Sequence, residues 1–156
     1  MDEISIVEVR PQKVVGIRKQ GKYELIPKLL QMVYEFASSN GAEFSGPPMF
    51  VCHEIRVEDV MKADEEGTAD IEIAFPITKE INGTDEIKCY DLPGGKMAKI
   101  IHKGPYEKCT PTYERLYLWI DKNKKIISGP IREVYLNDPS KVSEDEILTE
   151  IYAPIK

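Results

Sequence analysis

At 156 residues, with 42% hydrophobic side chains, the chain has the size of one packed domain spanning 1–156 and no room for a second large one. A net charge of −6, a pI near 5.1 and scattered lysines exclude the concentrated basic face that duplex DNA requires, and an acidic surface attracts cations. No apolar run follows a basic start, no stretch reaches membrane-span length, and Cys52, Cys89 and Cys109 are odd in number and widely spaced, so the reading is a soluble cytoplasmic protein without disulfides.

Taken in chain order, Lys13 to Arg18 is rich in Val and Ile and runs to Gly21, as a strand does. The period then becomes helical: Ile26, Leu29, Leu30, Val33 and Ala37 form one apolar stripe, Pro27 sits in the first turn, and Gly41 suits the exit. Strands follow at Met49 to Arg56 and Asp70 to Ile77. Between them the acidic segment Val57 to Thr68, with Asp64, Glu65, Glu66 and Gly67, reads as a surface hairpin loop. Pro93-Gly94-Gly95-Lys96 lacks the spacing of a phosphate loop and reads as a turn into the strand Lys96 to His102. A second helix carries Tyr113, Leu116, Tyr117 and Ile120, with Thr110 as its expected cap and Pro111 in its first turn. Two more strands, Ile131 to Asn137 and Leu148 to Ile155, are joined through a turn at Asp138-Pro139 and a capping-box-like start at Ser143 with Glu146.

The chain repeats itself. A shift of 83 positions places Gly21 on Gly104, Tyr23 on Tyr106, Tyr34 on Tyr117, Asn40 on Asn123 and Ser45-Gly46-Pro47 on Ser128-Gly129-Pro130. Further on, the shift becomes 78, with Ile73 on Ile151 and Pro76 on Pro154, so the first copy is five residues longer within Val57 to Thr68. The expected architecture is α+β: two β-α-β-β units, about 2–80 and 85–156, related by a pseudo-twofold axis. A small sheet with one amphipathic helix cannot bury both faces alone, and the seam between two such units is a cleft suited to a ligand.

What the copies share is explained by their common fold, so a site is sought where they differ. Glu133 falls on Phe50, an apolar strand position. With Val134 and Leu136 taken as the helix-facing pair, alternation turns Glu133 and Tyr135 toward the opposite, groove-facing surface. Tyr135 and Tyr152 have Cys52 and Ala74 as counterparts, which suggests an aromatic cup with one carboxylate, suited to a flat lipophilic cation.

The segments GKYELIPKLL, LPGGKMAKIIHKGPYEKCTPTYERLYLWI, GPIREVYLNDP and LTEIYAPIK resemble the GyrI-like small-molecule-binding family, which includes the gyrase inhibitory protein and the effector-binding domains of multidrug-responsive transcription activators. The resemblance implies an antiparallel sheet with two main helices and a central cleft for hydrophobic, often cationic, compounds. It matches the family's cleft glutamate to Glu133, its neighbour two along to Tyr135 and a last-strand aromatic to Tyr152. The ligand-contact set is completed by Phe50, Tyr117, Trp119 (chiefly for packing) and Glu150.

Three functions follow as expectations. The leading one is a stand-alone receptor or sequestering protein for xenobiotics, without direct nucleic-acid or membrane binding. The second is a hydrolase of cyclopropane-bearing DNA-alkylating compounds, with Glu133 as base and Glu150 or Glu54 as a second carboxylate; the third is a protein inhibitor of a topoisomerase. Binding is favoured over turnover. No cofactor is implied, and Cys52-His53-Glu54 lacks a second pair at metal-ligand spacing. His102 reads as a surface histidine at a strand end.

Overall fold

The Val- and Ile-rich segments form the two long strands of a single eight-stranded antiparallel sheet in the computed structural model, which describes residues 3–156; the expected repeat start at residue 2 lies outside them. The elements are β1 (Ser5–Val9), β2 (Gln12–Gly21), α1 (Ile26–Ser39), β3 (Met49–Cys52), α2 (Val57–Glu66), β4 (Ala69–Pro76), β5 (Ile87–Leu92), β6 (Gly95–Lys103), α3 (Thr110–Lys122), β7 (Ile131–Tyr135) and β8 (Leu148–Pro154). Spatial order across the sheet is β1-β6-β8-β7-β3-β4-β2-β5.

That order carries the internal symmetry. Ile17 pairs with Ile73 as Ile100 pairs with Ile151, and the bridge Phe44–Ile77 is matched by Ile127–Ile155. At the centre β3 lies against β7, with Phe50 opposite Glu133, so the two residues that the repeat equates are cross-strand neighbours on the pseudo-dyad. Each copy also has one strand more than the β-α-β-β pattern provides. β1 pairs with β6 and β5 with β2, so each extra strand joins the other copy's half of the sheet.

Two layers result. Leu29, Val33 and Ala37 of α1 and Leu116 and Ile120 of α3 are buried in one cluster with Ile17, Phe50, Ile73, Ile100, Ile131 and Ile151, so both helices cover the same face. α1 packs on β2 and β4 and α3 on β6, which leaves β3 and β7 as the floor between them. A smaller cluster, including Val14, Met49, Val51, Ala74 and Val134, lies on the other face.

Three local expectations are corrected. Val57 to Thr68 is not a hairpin loop: its acidic composition hides a three-residue spacing of Val57, Val60 and Ala63, and Ala63 is buried. Glu58 and Asp59 favour the positive start of α2, Gly67 ends it in the left-handed conformation (φ 69°), and Tyr23 N–H donates to Asp64 Oδ1 at 2.9 Å to dock it. β3 stops at Cys52, four residues before the expected end at Arg56, because the chain turns there into α2. Thr110 does not cap α3: a short 3-10 turn at Tyr106–Lys108 leads through Cys109, already helical, into the helix. The Ser143–Glu146 pair forms, but between side chains (2.8 Å).

Gly16 marks a close approach between strands. A Cβ there falls 2.4 Å from the Ile73 carbonyl oxygen and 2.6 Å from the Tyr90 hydroxyl, which donates to Glu72 at 2.7 Å. Gly16→Ala is expected to cost about 1–3 kcal/mol, read as a lower urea midpoint. Gly46→Ala, whose Cβ meets Pro76 at an ordinary 3.5 Å, is expected to change little; equal midpoints for the two variants would contradict this packing.

Candidate functional site

Glu133 stands on the strand at the pseudo-dyad, and its orientation is the reverse of the one expected. Val134 belongs to the cluster on the open face of the sheet, while Glu133 and Tyr135 point toward the helices. Repeat comparison identifies an unusual strand position but not which of two alternating faces meets a helix. The contact with α3 decides it: the Tyr113 hydroxyl donates a short hydrogen bond to Glu133 Oε2, and the Tyr135 hydroxyl donates to Oε1 at 3.2 Å.

Aromatic rings surround this carboxylate. Tyr106 meets Tyr135 edge-to-face at 5.2 Å, Tyr113 lies tilted against Tyr117 at 5.9 Å, and Phe50 takes the edge of Tyr23 at 6.0 Å. Tyr117 spans from α3 to the other half, donating to the Ile55 carbonyl at 2.9 Å. Tyr106, Tyr113, Tyr117 and Tyr135 are all half-buried, and Glu133 itself, though deep among them, retains partial solvent access. The carboxylate thus lies in an aromatic trough on the helix side of β3 and β7, walled by α3 and by the turn at Tyr106–Lys108.

Electrostatically the trough is negative. Burial raises the Glu133 carboxyl above its ordinary range, and the two tyrosine hydroxyls, with a smaller coulombic contribution from His102, only partly oppose this. Burial and the Glu133 charge push the Cys52 thiol up to about 12 and the Cys109 thiol up to about 11. Burial, with Cys52 and Glu133, pushes the Tyr117 phenol up to about 12. Among the described residues, no lysine, arginine or histidine forms an ion pair with Glu133.

The other expected contacts divide. Phe50, Tyr117 and Tyr135 join Glu133 in the trough. Tyr152 and Glu150 lie on the opposite face: Glu133 is paired with Ile151, so alternation sends Ile151's two neighbours away from the helices. There Glu150 accepts from the Tyr152 hydroxyl (2.9 Å) and pairs with Lys99 (2.7 Å). Trp119 is half-buried against the helix-side core, and its carbonyl accepts from Asn123 as that of Phe36 accepts from Asn40. Glu54 has both oxygens engaged, by the Tyr23 hydroxyl (2.7 Å) and the Asp70 amide (3.0 Å). His102 is not a surface residue; it is 5% exposed between Thr112 (2.8 Å) and the Pro105 carbonyl (2.9 Å).

Tyr113 is the contact that residue spacing does not single out. Its period places it in the helix stripe, yet its counterpart in the first copy is Leu30, so it is an unmatched tyrosine just as Tyr135 is.

A carboxyl whose value is higher folded than unfolded favours folding when protonated. Its contribution is complete below the unfolded value of roughly 4.3 and is lost as pH rises through the folded one. Glu133→Gln fixes the neutral state. Its urea midpoint, relative to the parent, is expected to climb as pH rises from the unfolded value through the raised folded one; a pH-independent difference would contradict the burial of an unpaired charge.

The fold has solved relatives. The EcmrR C-terminal domain superposes with a TM-score of 0.86 at 20% identity, over 100% of this chain and 98% of that one. In the EcmrR–DNA complex the TM-score is again 0.86, at 19% identity; 99% of this chain is matched, and it spans 57% of the EcmrR chain. SAV2435 bound to tetraphenylphosphonium gives 0.60 at 16% identity, over 99% of this chain and 94% of that one. At these identities the likeness shows the fold alone. No curated protein sequence matches significantly. The model of the GyrI-like small molecule binding domain matches residues 2–156. With nearly the whole chain matched by that model, the protein belongs to the GyrI-like small-molecule-binding domain family.

Proposed function

We propose that the trough binds a lipophilic organic cation, with Glu133 selecting charge, Tyr106, Tyr113, Tyr117 and Tyr135 supplying flat contact and Phe50, 4% exposed, packed beneath them, so that the protein senses or sequesters xenobiotics. The observation that carries this reading is a deep carboxylate held only by neutral hydroxyls. Such a group is costly to ionise alone and gains most from a ligand that brings the missing charge. Each ring face adds roughly 0.5–2 kcal/mol of cation–π attraction once water is displaced. The tetraphenylphosphonium bound to SAV2435 gives a probe of the right chemistry.

Binding is preferred to hydrolysis because Glu54, one candidate for a second carboxylate, is spent on fixing Tyr23 and the Asp70 amide. Glu150, the other candidate, faces away from the trough.

Calorimetric titration with tetraphenylphosphonium tests the proposal. The parent is expected to bind, more tightly as pH rises through the raised Glu133 value, because only the ionised acid attracts the cation. Glu133→Gln is expected to weaken binding about tenfold or more and to abolish the pH dependence. Neutral triphenylphosphine oxide is expected to bind the two proteins alike. Equal tetraphenylphosphonium affinity in parent and variant would strip Glu133 of charge selection.

A further inference from the structure

We propose that the open face of the sheet carries a second site, for a small monocarboxylate, built on Arg132. This site is independent of the cation reading. The two copies differ at adjacent positions, Met49-Phe50 in the first and Arg132-Glu133 in the second. Alternation sends these charges to opposite faces, Glu133 into the helix-side trough and Arg132 among Val51 and Tyr152, its neighbours across β3 and β8.

Arg132 is 5% exposed. Its Nη2 donates to the Pro93 carbonyl at 2.5 Å, while the buried Nη1 has no hydrogen-bond partner among the described residues. A guanidinium stays charged in a protein, and a buried unpaired donor on it is costly. Arg132 lines a concavity of about 160 Å³ at the pseudo-dyad, together with Gln12, Pro47, Met49, Val134 and Tyr152.

The neighbouring acids do not supply the missing hydrogen bond, although the charge of Glu72 acts on Arg132 through space. Glu150, also at this concavity, has one oxygen on the Tyr152 hydroxyl and the other on Lys99. Glu72 is held by His53 and Tyr90, both at 2.7 Å, and stands across β3 with Val51 between it and Arg132. The lining therefore combines a committed acid–lysine pair with one arginine short of an acceptor. A planar carboxylate matches the guanidinium, and a cavity of roughly 150 Å³ accommodates a benzene ring, so benzoate is the appropriate probe.

Amide chemical-shift titration of the parent with sodium benzoate, into the millimolar range, tests the site. Saturable shifts are expected at Gln12, Val134 and Tyr152, with none from neutral benzamide. Arg132→Met installs the residue that the first copy carries there. It is expected to weaken benzoate about tenfold or more while tetraphenylphosphonium binding stays as in the parent. Absence of saturable benzoate shifts in the parent, equal shifts from benzamide, or undiminished benzoate binding by Arg132→Met would each overturn the proposal. None of these results bears on Glu133, whose test uses a cation on the other face.

Discussion

A buried carboxylate without an ion-pair partner among the described residues, placed where two halves of a sheet meet, sets the terms for the rest of this molecule. Across the pseudo-dyad, Phe50 and Glu133 are both equivalent and adjacent. One copy meets the requirement for an apolar floor and the other violates it. The violation is tolerated because two hydroxyls, from Tyr113 and Tyr135, arrive from different elements to satisfy the acid. Hydrogen bonds soften the burial of a charge without cancelling it, and the raised Cys52, Cys109 and Tyr117 values reflect burial first and the Glu133 charge after it.

Duplication explains how such a site is supported. Matched strand pairs and matched helix stripes build a core on either side of the central strands, which add Phe50 and Ile131 to it. Exchange of β1 and β5 between the halves ties the copies together at both sheet edges. Within that frame a substitution in one copy leaves the other as a structural reference. Arg132 and Glu133 are two such substitutions, placed back to back on the two faces of one strand. Family membership assigns small-molecule binding to the domain, and the preference for cations proposed above rests on the carboxylate among the rings.

Much of this architecture is legible in the amino-acid sequence. The repeat register, the two helix stripes and the singular status of Glu133 follow from spacing alone, because burial imposes its period on composition. Orientation is not legible: IREVYL alternates equally well either way, and only the Tyr113 contact shows that Glu133 faces a helix. The α2 segment is hidden because its exposed side is so acidic that Val57, Val60 and Ala63 do not stand out as a stripe. Tyr152 is grouped with Glu133 because it lacks a matching aromatic in the first copy, and Glu150 as a possible second carboxylate, although pairing of Ile151 with Glu133 places both across the sheet. Tyr113 escapes notice for the converse reason, being a good core residue by period and an anomaly only by comparison with Leu30.

Carbon-detected NMR titration of the Glu133 carboxyl, with and without tetraphenylphosphonium, reaches this acid directly. The account predicts a midpoint above that of a free glutamate in the unliganded protein and a clear downward displacement when the cation is bound. A midpoint at the ordinary glutamate value, or one that the cation leaves in place, would contradict it.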